Sequence, residues 1–585
     1  MSGRTGSWSR RWTLTVRSHP GHQCVRPPVH SRAMPEISRR SLVLGAFAAA
    51  GTVAAAGTVA AAGAAPASAV SRPSAGGVPL VRKRLTLPSG IATGDVTSRS
   101  AVLWSRASGP GRLIAALRTT DDDGRVLRGK GAFERVWRSG WATEESDFTA
   151  KIDARNLPSG SRFQLSLRFE DERGVPGEVV HGSFTTPDGP GALGRGQGRG
   201  PQRQRGQSFV WTGDTAGQGW GINEEIGGML GYRAMHETRP DLFIHCGDTI
   251  YADGPISAEV VEPDGRIWKN LVTEEVSKVA ETLNEYRGRH RYNMMDSNLR
   301  AMYAEVPVIA QWDDHETHNN WWHGEVIDDP RYTVRDIDTL AARGRQAWQE
   351  YMPITDSRAT RKGTTGFEPA RIYRKIERGP QLDIFALDMR TYQGENTAGL
   401  EQKATSILGE EQLQWLIQEV KKSKATWKVI SADLPLGIIV PDGKAQESIA
   451  NNNDGAPLGR ELELARLLKA FKDNRIKNVV WVTADVHYCA AHHYAPERAT
   501  FKDFDPFWEF VAGPINAGSF GPNEMDMTFG PEVVFSQAGY TNQSPRTGEA
   551  QFFGHVELDG DDAFTVSLRN ARGTVLWSKT LHPER

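Results

Sequence analysis

Leu242-Phe-Ile-His-Cys-Gly-Asp248-Thr-Ile-Tyr251-Ala-Asp253 is the stretch on which the reading of this chain turns. A short apolar run ends abruptly in glycine and a carboxylate, and a phenol follows three residues later on the same turn. Four other runs end the same way. Ser208-Phe-Val-Trp-Thr-Gly leads into Asp214, and Val306-Pro-Val-Ile-Ala-Gln-Trp into Asp313-Asp314-His315-Glu316. Trp427-Lys-Val-Ile-Ser-Ala leads into Asp433, and Val479-Val-Trp-Val-Thr-Ala into Asp485-Val486-His487. In an open α/β sheet, ligands bind beyond the carboxyl ends of the strands. A single acidic strand end is as readily a turn or a helix cap as a site. Five of them delivered to one sheet edge repel one another severely unless cations lie between them. Hard oxygen donors with one imidazole suit Fe, Mn, Ca or Mg, and a phenolate at Tyr251 favours a ferric ion over a divalent one. Tetrahedral zinc held by thiolates is not indicated.

Outward from these runs, the sequence from residue 208 to 585 alternates short apolar segments with amphipathic helices, the signature of an α/β catalytic layer. Leu408–Lys422 is one such helix, with Leu413, Leu416, Ile417 and Val420 on one face, and Glu461–Phe471 is another. The chain ends in strands at Phe552–Leu558, Ala563–Leu568 and Thr574–Ser578. Residues 85–187 differ. Short alternating segments such as Ala101-Val-Leu-Trp104, Leu113-Ile-Ala-Ala-Leu117 and Phe163-Gln-Leu-Ser-Leu167 predict a small β-sandwich. Between the two parts, 188–207 is dense in Gly, Arg and Gln without apolar periodicity, which fits a solvated linker better than an RNA-binding tract.

The amino terminus reads as an address. Ser38-Arg39-Arg40-Ser-Leu-Val-Leu44 is followed by an Ala/Gly-rich apolar run and then Ala67-Ser-Ala69. This predicts a twin-arginine signal over about 34–69, cleaved after Ala69, rather than a membrane anchor, because Ala and Gly contribute little burial energy. The 33 residues before Met34 carry six arginines and no acid and have no folding pattern, so Met34 is an alternative start to Met1. The expected destination is extracellular, with the twin-arginine translocase as export partner.

Composition agrees with a folded, multi-domain chain. Its 585 residues exceed one ordinary hydrophobic core, and 38% hydrophobic with 24% charged residues fits a globular protein. A formal net charge of −1 argues against a nucleic-acid or anionic-membrane partner. Three cysteines, of which Cys24 falls in the expected leader, exclude a disulfide framework. A Cys246–Cys489 bridge is geometrically possible, and two small buried thiols is the simpler reading.

Four motifs carry a resemblance. Gly213-Asp-Thr-Ala-Gly-Gln-Gly-Trp-Gly221, Gly247-Asp-Thr-Ile-Tyr-Ala-Asp253, Gln311-Trp-Asp-Asp-His-Glu316 with Asn319-Asn320, and Thr483-Ala-Asp-Val-His-Tyr488 resemble those of the PhoD-like alkaline phosphatase/phosphodiesterase family, within the calcineurin-like metallophosphoesterases. Gly90-Ile-Ala-Thr-Gly-Asp95, Ala101-Val-Leu-Trp-Ser105, Leu387-Asp-Met-Arg390 and Leu408–Leu416 also fit, so the resemblance spans nearly all of the expected mature chain. One motif departs. The family's best-known branch has Ser-Cys-Gln near the first motif, where this chain has Gly213-Asp214-Thr215.

The resemblance implies a four-layer αββα sandwich with an Ig/FnIII-like amino-terminal domain. It implies a metal centre in which Asp248 bridges two ions. Asp214, Tyr251 and His487 would complete a ferric site, and Asp314 and Asp485 a site for calcium or another divalent ion. Asp433 is either a further ligand there or a turn residue, and Asn319 and Asn320 are expected to cap a helix rather than coordinate. His315 would protonate the leaving oxygen or hold a phosphoryl oxygen. Arg390 is read as a bidentate phosphate clamp, with a surface salt bridge as the alternative. His492, His493 and Cys246 are expected to be structural. The implied reaction is hydrolysis of a phosphate ester by in-line attack of a hydroxide held between the metals. A phospholipase D acting on lipid head groups with the same site, and a secreted metal-stabilised binding protein, are the alternatives.

Overall fold

Alternation along single strands sorts the apolar side chains of this chain into separate cores. On the strand Gln207–Thr212, Phe209 and Trp211 belong to one core and Val210 to another. On Leu242–Cys246, Ile244 and Phe243 divide in the same way. Strands with two apolar faces must be covered on both sides, and here they are. The computed structural model describes residues 84–189, 206–355 and 369–584. The expected twin-arginine signal, the sequence before it and most of the 188–207 linker lie outside the described residues.

Two sheets face one another. The first has nine strands in the order Val575–Leu581, Phe564–Asn570, Phe552–Leu558, Gln207–Thr212, Leu242–Cys246, Val308–Gln311, Ile91–Gly94, Ser100–Arg106 and Thr149–Arg155. Its central strands Gln207–Thr212, Leu242–Cys246 and Val308–Gln311 run parallel. The second has seven strands, of which Leu382–Ala386, Trp427–Ser431, Val479–Thr483 and Phe507–Val511 are parallel neighbours. Phe209, Trp211, Ile244, Val429, Val480, Val482 and Phe564 fill the space between the sheets.

Helices α1 (Leu230–Glu237), α2 (Leu283–Asn293), α3 (Ser297–Glu305) and α4 (Ile337–Tyr351) cover the outer face of the first sheet, adding Tyr232, Tyr286, Leu299 and Trp348 to its core. Helices α5 (Glu410–Lys422) and α6 (Glu461–Asp473) cover the second, burying Leu413, Leu416, Leu464 and Leu468 against Phe385, Ile430 and Trp481. The layers are therefore helix, sheet, sheet, helix, as the motifs implied.

The sandwich at the amino end is present but is not a separate body. Its four-stranded sheet is built from Glu134–Ala142, Gly111–Thr120, Arg162–Glu170 and Pro176–Thr185. The strands that face it, Ile91–Gly94, Ser100–Arg106 and Thr149–Arg155, extend the nine-stranded sheet, because Gly94 pairs in parallel with Val308. A side chain at Gly94 would collide with Pro353 and Val308, its Cβ lying 2.2 Å from the Pro353 carbonyl, so only glycine permits this junction. Val81–Arg585 form one compact unit. Among the described residues, no helix is long and apolar enough to cross a membrane.

Candidate metal centre

Both sheets end at the same place. Asp214, Asp248, Asp313 and Asp314 follow parallel strands of the nine-stranded sheet, while Asp433 and Asp485 follow parallel strands of the seven-stranded one. The expectation of a single acidic sheet edge is thus corrected: the carboxylates converge from two facing edges. Each turn bends sharply to do so. Asp214, Asp248, Asp485 and His487 have φ of 68°, 52°, 68° and 60°. That left-handed conformation is uncommon outside glycine and tolerated best by Asp and Asn, and such strain concentrates at functional sites. Hydrogen bonds tie the turns together: Thr215 N donates to the Asp248 carbonyl (2.9 Å), and His315 N to the Asp248 side-chain Oδ1 (3.2 Å).

One half of the centre gathers Asp214, Asp248 and His487, whose donor atoms lie within 4.8 Å of one another. His487 Nε2 is 3.6 Å from Asp214 Oδ1 and 2.8 Å from the Tyr251 hydroxyl. Its Nδ1 faces the Gly518 carbonyl at 2.5 Å, so Nδ1 carries the proton and Nε2 presents its lone pair to the cluster. The other half gathers Asp314 and Asp485 with Asp313, and Asp248 with Asp314 and His315. The six residues expected to hold metal are therefore brought together around Asp248.

The donor set fits hard cations. Asp214 Oδ2, Asp314 Oδ1 and both oxygens of Asp433 are buried without a hydrogen-bond partner. Buried acceptors are normally satisfied, so the orphaned oxygens of Asp214 and Asp314, each within a tight group of donors, call for a ligand. The walls are cut to admit these groups. A Cβ at Gly513 would sit 2.2 Å from Asp214 Oδ2, and one at Gly217 would sit 2.6 Å from the Tyr251 ring.

Electrostatics point the same way. Burial first, then Asp313, raises the Asp214 carboxyl well above its usual range; burial and Asp314 do so for Asp248. Burial also raises Asp433, with Asp313 adding to it, and Asp485, with Glu447 adding to it. The Tyr251 phenol is likewise raised by burial and Asp248, and burial lowers His487 to about 4. A neutral imidazole is the form that binds metal.

His315, grouped with Asp248 and Asp314, is held by a different partner. Its Nδ1 lies 2.8 and 2.9 Å from the two oxygens of Asp253, and its ring stacks on Tyr251 at 4.1 Å. Burial works against its charge, but Asp253 and Asp314 outweigh burial and lift it to about 10. Asp253 correspondingly falls to about 2, burial being overcome by His315.

Arg390 requires a correction. It is 0% exposed, neither on the surface nor open to substrate. Its guanidinium pairs with Asp313 and Glu447 and lies 3.9 Å from Asp314 and 4.0 Å from Asp485. It is an internal counter-charge beneath the second half of the centre. Asn319 and Asn320 cap no helix either. Their backbone amides donate to Asp253 Oδ2 (2.9 Å) and Asp314 Oδ2 (2.6 Å). His492 is paired with Glu509, and Cys246 and Cys489 are buried free thiols.

Three residues of the site escaped sequence reasoning. Asp253 and Asp313 lie inside the quoted motifs, where adjacent acids cannot be ranked by pattern. Glu447 follows a two-residue strand, Ala445–Gln446, with no apolar run to announce it.

Comparison with known proteins follows the same outline. A family model described as PhoD-like phosphatase matches residues 209–568, and one for the PhoD-like phosphatase N-terminal domain matches 74–187. Alkaline phosphatase D of Bacillus subtilis (strain 168) is 26% identical over 449 residues, covering 74% of this chain and 70% of that protein. Among solved structures, PhoD superposes with a TM-score of 0.60 at 18% identity, covering 85% of this chain and 92% of the other. A purple acid phosphatase, PPD1 from yellow lupin (Lupinus luteus) seeds, gives 0.50 at 11% identity, covering 85% and 74%. At such identities the structural likenesses speak for the fold.

Proposed function

The chain belongs to the PhoD-like phosphatase family of phosphoester hydrolases, and we propose that its reaction takes place at the carboxylate cluster between the two sheet edges, in a protein exported by the twin-arginine route. The observation that carries the reading is the convergence of carboxylates from both sheets, with buried oxygens of Asp214 and Asp314 left without a partner. Asp214, Tyr251 and His487, with Asp248 shared, would hold a ferric ion. Asp314 and Asp485, with Asp248 and Asp433, would hold calcium or another divalent ion. Cations bound there supply Lewis acidity toward the ester and lower the pKa of water.

The chain's own residues do the rest. Asp253 fixes the His315 ring through Nδ1, so the proton on Nε2 is the one available to the leaving oxygen. The Tyr251 ring against which His315 stacks holds that orientation. Arg390, paired with Asp313 and Glu447, offsets part of their charge, although burial still raises both carboxyls, Asp313 to about 7.

The test is hydrolysis of p-nitrophenyl phosphate and bis-p-nitrophenyl phosphate by the exported protein and by Asp248→Asn. The variant should lose both activities while keeping the circular dichroism of the parent. Full activity in a folded Asp248→Asn protein would dismiss this assignment. A secreted binding protein would show no turnover in either form.

A further inference from the structure

Glu316 is fully buried at 0% exposure, and none of its hydrogen-bond partners is a cation. Burying a carboxylate in this way is costly, and an apolar side chain would normally be the cheaper solution. What surrounds it are donors. Oε1 accepts from the Thr249 backbone N–H and from the Thr249 hydroxyl, both at 2.5 Å. Oε2 accepts from the backbone N–H of Asp248 at 3.2 Å and of Asp313 at 2.8 Å. Three backbone N–H groups and one hydroxyl are thus gathered on the two oxygens of a single side chain, which bonds to both turns at once.

The connectivity gives the arrangement its meaning. Asp248 and Thr249 follow the strand Leu242–Cys246, whereas Asp313 follows the neighbouring strand Val308–Gln311. Glu316 therefore staples the turn that carries the shared ligand Asp248 to the turn that carries Asp314. The bond to Asp313 is a reach-back over three residues of the kind seen in capping boxes. The staple is backed from behind: a Cβ at Gly344 of helix α4 would lie 2.5 Å from the Glu316 carbonyl, so helix and turn are in direct contact.

We propose that Glu316 is a positioning residue that sets the separation of the two halves of the metal centre. It touches neither substrate nor the reacting atoms. Outer groups that orient ligands typically change metal affinity or activity by about 10–100-fold when removed. The inference rests on the metal-centre reading above, and the experiment separates the two.

Glu316→Gln keeps the shape but turns an NH2 group toward two donors. In the holoenzyme this variant should lower kcat roughly 10–100-fold with KM within about threefold of the parent, and should release its metal at a correspondingly lower chelator concentration, measured by elemental analysis after dialysis. Thr249→Val removes one donor and keeps the fold's shape. It should move the same two quantities in the same direction by roughly three- to tenfold. A folded Glu316→Gln protein with parental kcat and parental metal retention overturns the proposal. If that variant does not fold, parental behaviour of Thr249→Val overturns it instead. A purely structural role would lower the thermal midpoint and leave kcat and metal retention per folded molecule unchanged, which also overturns it. A parent protein without metal or turnover would sink the functional reading itself, a different outcome.

Discussion

Asp147 and Asp248 make an instructive pair. Both are buried aspartates held at left-handed φ, 49° and 52°. At the junction between the amino-terminal sandwich and helices α2 and α4, Asp147 meets Arg106 at 3.0 Å, Arg291 at 2.6 Å and the Tyr351 hydroxyl at 2.5 Å. Burial alone would raise its carboxyl, but these partners outweigh burial and bring it below the usual value. Asp248 has only carboxylates as charged neighbours of comparable effect, and it is driven the other way. Nearby, Asp95 is gripped by the Nε and Nη2 of Arg374 at 2.7–2.9 Å. The protein thus supplies arginines where buried acid is structural and under the Asp313–Asp314 turn, and places none among the main charged neighbours of Asp214 and Asp248. A region whose counter-charges are missing from the sequence is one whose counter-charges come from solution.

The contrast can be broken most forcefully at its centre. Asp248→Asn should lower kcat/KM by about 10³-fold or more, since every tenfold is about 1.4 kcal/mol of transition-state stabilisation. The same change should leave the metal-free protein no less stable than the parent, because it removes a buried acid whose main charged neighbours are carboxylates. On the structural side, Arg374→Met strands Asp95 and should lower unfolding free energy by about 3–5 kcal/mol in denaturant titration, with turnover per folded molecule intact. Equal effects of both changes on stability and turnover would erase the distinction.

His315→Asn should cost on the order of 10²-fold in kcat, and less for substrates with a good leaving group such as p-nitrophenol, which needs little protonation. An unchanged ratio between good and poor leaving groups would remove the proton-donor role.

The smallest effect concerns pH. Burial, with Arg569 adding to it, lowers His555 on the strand Phe552–Leu558 to about 4. A group with a depressed folded pKa binds its proton more readily when unfolded. Its contribution is complete above about pH 6.5 and is lost as pH falls toward 4. Stability should drop by about 1–2 kcal/mol between pH 6.5 and 5, and His555→Gln should flatten that slope. The metal-free sheet-end acids have the opposite sign. The folded pKa values of Asp214 and Asp433 are raised, so their contribution is present below the ordinary carboxylate range and is lost as pH climbs toward the folded values.

Much of this was legible in the sequence, for reasons that can be named. Apolar runs ending in Gly-Asp or Ala-Asp reveal parallel strands buried on both faces, and the runs at Asp214, Asp248 and Asp485 each place an aspartate where the backbone must turn left-handed. The helix periodicity at Leu413–Val420 located α5. What stayed hidden depends on distance in sequence. That Asp214 and Asp485 belong to different sheets follows from pairing between segments hundreds of residues apart. The burial of Arg390 depends on Asp313 and Glu447 closing over it from two further loops. The sandwich read as a domain of its own because the strand pairing that joins it to the larger sheet is one parallel pair, Gly94 with Val308, and its other ties, such as Asp95 with Arg374 and Asp147 with Arg291, lie far apart in sequence.

Metal content of the natively exported, active protein is the most direct measurement. The account predicts about two tightly bound hard cations per chain, one of them ferric and giving visible absorption from its phenolate, with turnover lost on chelation and restored by adding metal back. Full turnover from a sample shown by elemental analysis to be metal-free would contradict it.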